Sequence, residues 1–328
     1  MKRKVLFCTA DYSAFTEPVS SAFISLGYDI KLFDYQKGNL LSRSIGLTGN
    51  IFHFPKGFIR PIILNTIQSS LLKAVKQWKP DVVFVIKGET ISKETLLALN
   101  KLGVITLNWY PDWMVLWNWV KEYAPLYTWF IVTCEDLYKH LKKIHPRVRY
   151  LPYASQPDEI VHTKQKKYNL VFVGQYSKRR EYFFGALADL GLIIWGYTNW
   201  RNSELKNLVH SPVSPQQTLE IFRQSKIVVN VQTGDDYFYP HAINNRTFET
   251  LGVGTLLLIH DYPLIHKHFN VKNSMVTFRS KNELRQKAIY YLTHSLEREK
   301  IARNGWLEVK KHHLYVQRLQ ELLSLTKI

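Results

Sequence analysis

"NLVFVGQYSKRREYF", residues 169–183, decides the fold. An apolar run stops at Gly174, a short loop follows, and Lys178, Arg179 and Arg180 open a helical pattern. A run without polar alternation predicts a strand buried on both faces, as in a parallel sheet whose crossovers are helices. The same unit recurs along the chain. Downstream lie a helix over 179–189, "LIIWG" (192–196), a helix over 215–224, "KIVVNV" (226–231) and "TLLLI" (255–259). Upstream lie an apolar run at 4–9, a helical pattern from Phe15 to Leu26, a strand from Asp29 to Phe33 and "PDVVFVI" (80–86). A helix over 92–101, "GVITLNW" (103–109) and "WFIVT" (129–133) complete that series. Alternating strands and helices predict an α/β fold with doubly wound parallel sheets.

With 328 residues the chain has room for two domains, each with its own core. The polar, proline-punctuated stretch "PYASQPDEIVHTKQKKY" (152–168) is the linker candidate. Two such domains would face a central cleft at the carboxyl ends of their strands, where open α/β sheets bind ligands. The helical segment over 295–326 breaks its apolar stripe near His312–Leu314, which predicts a bend there.

A composition of 46% hydrophobic and 21% charged residues, with 15 Gly and 13 Pro, excludes disorder and low complexity. The net charge of +18 is shared evenly. Residues 1–150 carry 20 basic and 11 acidic side chains and the remainder 24 and 15, so each part is +9. That field favours anionic partners: nucleotide phosphates, an anionic membrane face or nucleic acid. Nucleic-acid modules concentrate their charge on one face or tail, so the even spread disfavours that partner. Cys8 and Cys134 sit in separate apolar runs and read as reduced core residues of a cytoplasmic protein. The apolar run after "MKRK" stops at Asp11, too short for a signal peptide. No stretch approaches the roughly 18 apolar residues of a membrane span, so any membrane contact is expected to be peripheral.

Three places offer chemistry. Arg179 and Arg180 at a helix N-terminus oppose the helix dipole, a local cost that favours a bound anion such as pyrophosphate. In "AINNRTFETLGVGTLLLIHD" (242–261), Arg246 and Glu249 share one helix face. They suit either a phosphate and a ribose diol or a plain intrahelical ion pair. In "LNWYPDWMVLWNW" (107–119), Asp112 lies at the carboxyl edge of a strand, as a base or as a turn and cap residue. Trp109, Trp113, Trp117, Trp119 and Trp129 crowd the same region and read first as packing, second as an acceptor platform. Asp11 and Tyr12 read as a turn. No His, Cys or carboxylate spacing suggests a metal site, and the absence of glycine after the first strand disfavours a dinucleotide site.

"NNRTFETLGVGTLLL" resembles the Asn-x-Arg-x-Phe-Glu-x-x-x-x-Gly segment of CgeB-like (spore-maturation-type) glycosyltransferases, relatives of the retaining GT-B group. "VGQYSKRREYF", "SPQQTLEIFRQSKIVVNV" and "HHLYVQRLQELL" follow the family in order, over 169–326. The resemblance implies an N-terminal Rossmann-like acceptor domain (1–155), a nucleotide-sugar domain (156–305) and a C-terminal helix (306–328) crossing back to the first. It implies that Glu249 bonds the donor ribose, that Arg179 and Arg246 neutralise the diphosphate, and that Gly174 lets backbone approach the phosphates. Asn230 and Asn244 become polar neighbours of that site and Asp112 the catalytic base. Where the larger retaining relatives carry a first Glu, this chain has His241, which reads as a donor contact or a loop residue. The expected function is metal-independent sugar transfer from a nucleoside-diphosphate sugar to a hydroxyl of a glycan, lipid-linked or protein acceptor, with no cofactor. Such an enzyme would work in the cytoplasm, with peripheral contact at the anionic inner leaflet. A nucleotide-sugar epimerase of the same fold and a basic nucleic-acid-binding protein are the alternatives.

Overall fold

The computed structural model describes residues 2–10, 13–35, 56–112, 116–157, 166–196, 198–232 and 242–326. The chain divides into two compact units, Met1–Pro152 and Tyr153–Ile328.

In the first unit the elements are β1 (Lys4–Thr9), α1 (Thr16–Ser25), β2 (Asp29–Asp34), α2 (Lys56–Trp78), β3 (Val82–Ile86) and α3 (Lys93–Lys101). They continue with β4 (Ile105–Tyr110), α4 (Trp117–Tyr123), β5 (Trp129–Val132), α5 (Glu135–Leu141) and β6 (Val148–Tyr150). The strands form one parallel sheet in the order β2-β1-β3-β4-β5-β6. All five residues of β3 are buried, as a central strand covered on both faces requires. Strand order reverses between β1 and β3, so their carboxyl ends and that of the neighbouring β4 are the places for a ligand or catalytic group.

The second unit begins with β7 (Tyr168–Val173), α6 (Lys178–Phe184), β8 (Leu192–Trp195), β9 (Val209–His210), α7 (Pro215–Arg223), β10 (Ser225–Asn230) and α8 (Asn245–Gly252). It continues with β11 (Leu256–His260), α9 (Pro263–His268), α10 (Val271–Ser274), β12 (Val276–Phe278), α11 (Lys281–Thr293), α12 (Ser295–His312) and α13 (Tyr315–Thr326). Its parallel sheet runs β12-β11-β10-β7-β8-β9, the order of a dinucleotide-type doubly wound fold, with the switch point between β7 and β10. The helix read over 179–189 is shorter: α6 ends at Phe184 and a 3-10 turn covers Gly185–Leu190. The break near His312–Leu314 is present, and Ser155 forms a bridge with Leu314 across it. Side-chain caps set several helix starts, with Ser214 and Gln217 forming a reciprocal capping box on α7. Cys8 and Cys134 are buried free thiols. Among the described residues no helix is long and apolar enough to cross a membrane.

Candidate functional site

The switch point of the second sheet is cationic. Arg246, in the first turn of α8, turns back across the sheet edge. Its Nε donates to the Val173 carbonyl at 2.6 Å and its Nη1 to Asn230 Oδ1 at 3.1 Å, joining the ends of β7 and β10. Arg180, on α6, is only 3% exposed. Its Nε donates to the Val231 carbonyl at 2.8 Å and its Nη1 to the Gln175 carbonyl at 2.6 Å. The two guanidinium carbons lie 4.7 Å (Arg180) and 4.6 Å (Arg246) from the centre of the Phe172 ring, so one aromatic face system supports both cations.

Gly174 makes this possible. Its φ of +152° lies in glycine's range, and a Cβ there would overlap Arg246 Nη2 and come within 3.0 Å of Phe172 Cζ. The missing side chain therefore houses a guanidinium, a use distinct from the close phosphate approach expected from the sequence. Trp200 Nε1 holds the Gly174 carbonyl at 2.9 Å.

The electrostatics are unbalanced. Burial lowers the Arg180 pKa well below its ordinary value, and Arg246 adds like-charge repulsion. Burial also brings Arg246 down to about 10. Burial pushes the Glu249 carboxyl up to about 7 against the opposing pull of Arg246. Arg246 and Glu249 share a helix face but form no ion pair among the described residues, since Arg246 is spent on the sheet edge while Asn245 Nδ2 donates to Glu249 Oε1 at 2.5 Å. Arg180 is thus buried and Arg246 half-buried, and among the described residues the carboxyl beside Arg246 is Glu249, itself half neutral near pH 7. Among the described residues such a cluster is short of negative charge.

Asn230 and Asn244 brace this arrangement. Their amides bond reciprocally, Asn230 Nδ2 to Asn244 Oδ1 at 2.9 Å and Asn244 Nδ2 to Asn230 Oδ1 at 3.1 Å. Asn244 also caps α8 through Thr247 N and donates to Gln232 Oε1 at 2.7 Å, while Gln232 reaches Tyr262. Arg179 points elsewhere, with its Nη2 3.2 Å from His260 Nε2 at the end of β11. Burial, then the Arg179 charge, lower the His260 pKa to about 4, and its Nδ1 faces the Asp261 carbonyl. A neutral ring with Nδ1 donating therefore offers Nε2 as acceptor to Arg179. His241 lies outside the described residues.

In the first unit Asp112 follows β4. Its Oδ2 pairs with Lys87 Nζ at 2.8 Å, and the same ammonium lies 3.2 Å from Glu89 Oε1. Lys87 and Glu89 went unnoticed in the sequence, because what singles them out is backbone geometry: Lys87 has φ +67° and Gly88 +81°. The aromatic cluster is packing where described. Trp109 is buried against Phe84, Trp119 stacks on Tyr123 at 4.7 Å, and Trp117 meets His140 edge-on. Trp113, Asp11 and Tyr12 lie outside the described residues.

A parallel sheet pair with a buried cationic switch point is the frame of a GT-B transferase, and residues 179–324 match the model of the family described as glycosyl transferase-like. The chain has the GT-B fold of two Rossmann-like sheets, and its match to the glycosyl transferase-like family lies within the second unit. Among solved structures it is similar to sucrose-phosphate synthase from Thermosynechococcus elongatus, at 9% identity over 99% of either chain with a TM-score of 0.66. It is also similar to an alpha-glucosyltransferase in complex with UDP and a 13-mer DNA containing an HMU base, at 11% identity over 100% of both chains with a TM-score of 0.66. A third is Anabaena HepE in complex with UDP-glucose, at 12% identity over 98% of this chain and 99% of that one, with a TM-score of 0.58. At these identities the likeness is one of fold. No curated protein matches the chain.

Proposed function

We propose that this protein is a CgeB-like transferase that moves a sugar from a nucleoside-diphosphate sugar to a hydroxyl of a glycan, lipid-linked or protein acceptor, without a metal. The observation that carries the reading is the pair of Arg180, buried, and Arg246, half-buried, at the β7/β10 switch point, with little negative charge around them among the described residues. A diphosphate supplies the missing charge, and in the transition state it gains more as it departs. Prebuilt guanidinium groups stabilise that charge in place of a metal ion. Arg179, held against His260 at the end of the neighbouring strand β11, would turn from that ring to become a third donor for the leaving group. Glu249, at the start of the second turn of α8, accepts from the ribose hydroxyls.

In the first unit Asp112 takes the acceptor proton. The acceptor oxygen bonds to the anomeric carbon as the bond from that carbon to the diphosphate oxygen breaks. The electron pair leaves with the diphosphate, and the proton ends on Asp112.

The acceptor side of the proposal includes cytoplasmic work at an anionic membrane surface. On α12, Leu296, Lys300, Arg303, Leu307 and Lys311 recur at helical spacing on one outward face, with Lys310 beside them and Glu299 at the margin. Leu296 is 85% and Leu307 47% exposed. Cations around exposed leucines are the composition of a helix that lies on acidic lipid.

The test is a thermal-shift panel of UDP, GDP, TDP, CDP and ADP on wild type, Arg246→Ala and Glu249→Ala. At about 100 times its dissociation constant, the matching diphosphate adds roughly 2.7 kcal/mol of stability to the wild type. Arg246→Ala is expected to abolish that gain and Glu249→Ala to halve it or more. A panel in which no diphosphate stabilises the wild type at millimolar concentration overturns the donor assignment.

A further inference from the structure

We infer that Lys87 is a positioning residue: its ammonium aims and anchors the Asp112 carboxylate, and the turn that carries it is built for that purpose. The inference rests on the transferase reading above, in which Asp112 is the base.

Four observations converge. First, Lys87 has φ +67°, a backbone state that a lysine adopts at a cost and glycine adopts freely. An ordinary exposed ion pair needs no such strain, since lysine reaches a carboxylate from relaxed backbone just as well. Second, the strained peptide is clamped by the strand that delivers Asp112. Lys87 N donates to the Trp109 carbonyl at 3.1 Å, and the buried Asn108 donates through Nδ2 to the Lys87 carbonyl at 3.0 Å. The register pairs Ile86 with Trp109, which puts Lys87 level with the last residue of β4, just ahead of Asp112. Third, the turn has no slack. A Cβ on Gly88 would stand 2.8 Å from Val85 Cγ1 and 2.9 Å from the Tyr127 hydroxyl, and Tyr35 OH donates to the Ile86 carbonyl at 3.2 Å. Fourth, Lys87 Nζ meets Asp112 Oδ2 at 2.8 Å and Glu89 Oε1 at 3.2 Å. Burial lowers the Lys87 pKa, but the hydrogen bonds and charges of Asp112 and Glu89 more than offset this, so the group stays a cation throughout the physiological range.

The chemistry follows from the geometry. A base must present one lone pair to an incoming hydroxyl, and a carboxylate on a free rotor presents it in many directions. Fixing Oδ2 on an ammonium leaves Oδ1 as the acceptor oxygen, in one orientation. Glu89 shares the ammonium at 3.2 Å and limits its swing.

The experiment uses the full chain and the release of nucleoside diphosphate from UDP-glucose, or from the glucose donor whose diphosphate the thermal panel selects, with water or a hydroxyl acceptor. Wild type, Asp112→Asn, Lys87→Met, Lys87→Gly and Lys87→Arg are compared. Lys87→Met and Lys87→Gly are expected to lower kcat on the order of 10- to 100-fold with the donor KM unchanged. Lys87→Arg is expected to recover most of the rate. Lys87→Gly relieves the backbone strain and is expected to melt no lower than the wild type, so its loss of rate is not a loss of fold. A Lys87→Gly or Lys87→Met enzyme with the wild-type kcat overturns the inference. So does an arginine variant as slow as the methionine one. If Asp112→Asn turns over at the wild-type rate, the base assignment falls and Lys87 falls with it. If Asp112→Asn is inactive while the Lys87 variants are normal, the inference alone falls. A wild type that releases no diphosphate overturns both.

Discussion

The carboxyl edges of the two sheets handle charge in opposite ways. At the first, Lys87 satisfies itself with Asp112 and Glu89, all three partly in water. At the second, Arg180 is buried and Arg246 half-buried, both carried by backbone carbonyls and one aromatic ring, with Glu249 pushed toward neutrality. A solvated cluster whose cation is paired by two carboxylates suits the orientation of a reacting group. A partly desolvated cluster with excess positive charge among the described residues is incomplete, and its stability depends on what binds. On the proposed transferase reading, the first edge supplies the general base and the second stabilises the leaving group.

Glycine chemistry breaks the comparison most sharply. Gly174→Ala would push a methyl group into the Arg246 guanidinium and hold alanine at φ +152°. The expected cost is about 2–4 kcal/mol of folding stability, read by urea unfolding, together with loss of the diphosphate-induced thermal shift. Lys87→Gly at the other edge has the opposite sign, a gain of about 1 kcal/mol as strain is released. If Gly174→Ala unfolds like wild type and still responds to diphosphate, Arg246 has room elsewhere and the account of the switch point is wrong.

Protonation of Glu249 sharpens it next. Its folded pKa of about 7 stands above the ordinary glutamate value of 4.5. A raised pKa means that this carboxyl's contribution to stability is fully present below 4.5 and is lost as pH rises to about 7. Ribose hydroxyls donating to the carboxylate favour its charged form, so binding below pH 7 expels a proton. Nucleotide affinity is therefore expected to climb severalfold between pH 6 and 8, beyond the titration of the nucleotide's own phosphate. Calorimetry in two buffers of different ionisation enthalpy, wild type against Glu249→Gln, measures the proton released. Equal release from both proteins removes Glu249 from the nucleotide contact.

The fold was legible where strands are long and apolar. The β7–α6 unit, the alternation on either side of it and the break near His312 all follow from periodicity. The three-residue edge strands β6 and β12 are too short to show a period, and α2 has no clean apolar stripe to mark it. At the site, chemistry was visible but not its distribution. Arg179 and Arg180 are adjacent in sequence, yet helix phase alone sends one to His260 and buries the other beside Phe172. Asn230 and Asn244 read as ligand neighbours because nothing in a linear sequence reveals that two amides 14 residues apart bond to each other. Lys87 was invisible because its strain comes from the clamp that β4 applies, a tertiary fact.

The smallest expected effect concerns a surface away from both edges. If the outward face of α12 rests on anionic lipid, each cation contributes about 1 kcal/mol near the membrane, a fivefold change in partition. Lys300→Glu with Arg303→Glu is then expected to reduce co-sedimentation with phosphatidylglycerol vesicles at least 25-fold, and Leu296→Ser to reduce it further while leaving salt dependence unchanged. Diphosphate binding and melting temperature should not move, because α12 buries Arg298, Ala302, Gly305 and Val309 through its other face. Wild-type vesicle binding by the double glutamate variant would mean that the net charge of +18 acts as a diffuse field and not through this helix. Duplex DNA competing equally with vesicles for the wild type, but not for the variant, would reassign the same face to nucleic acid, since phosphate attracts the cations but has no use for Leu296 and Leu307.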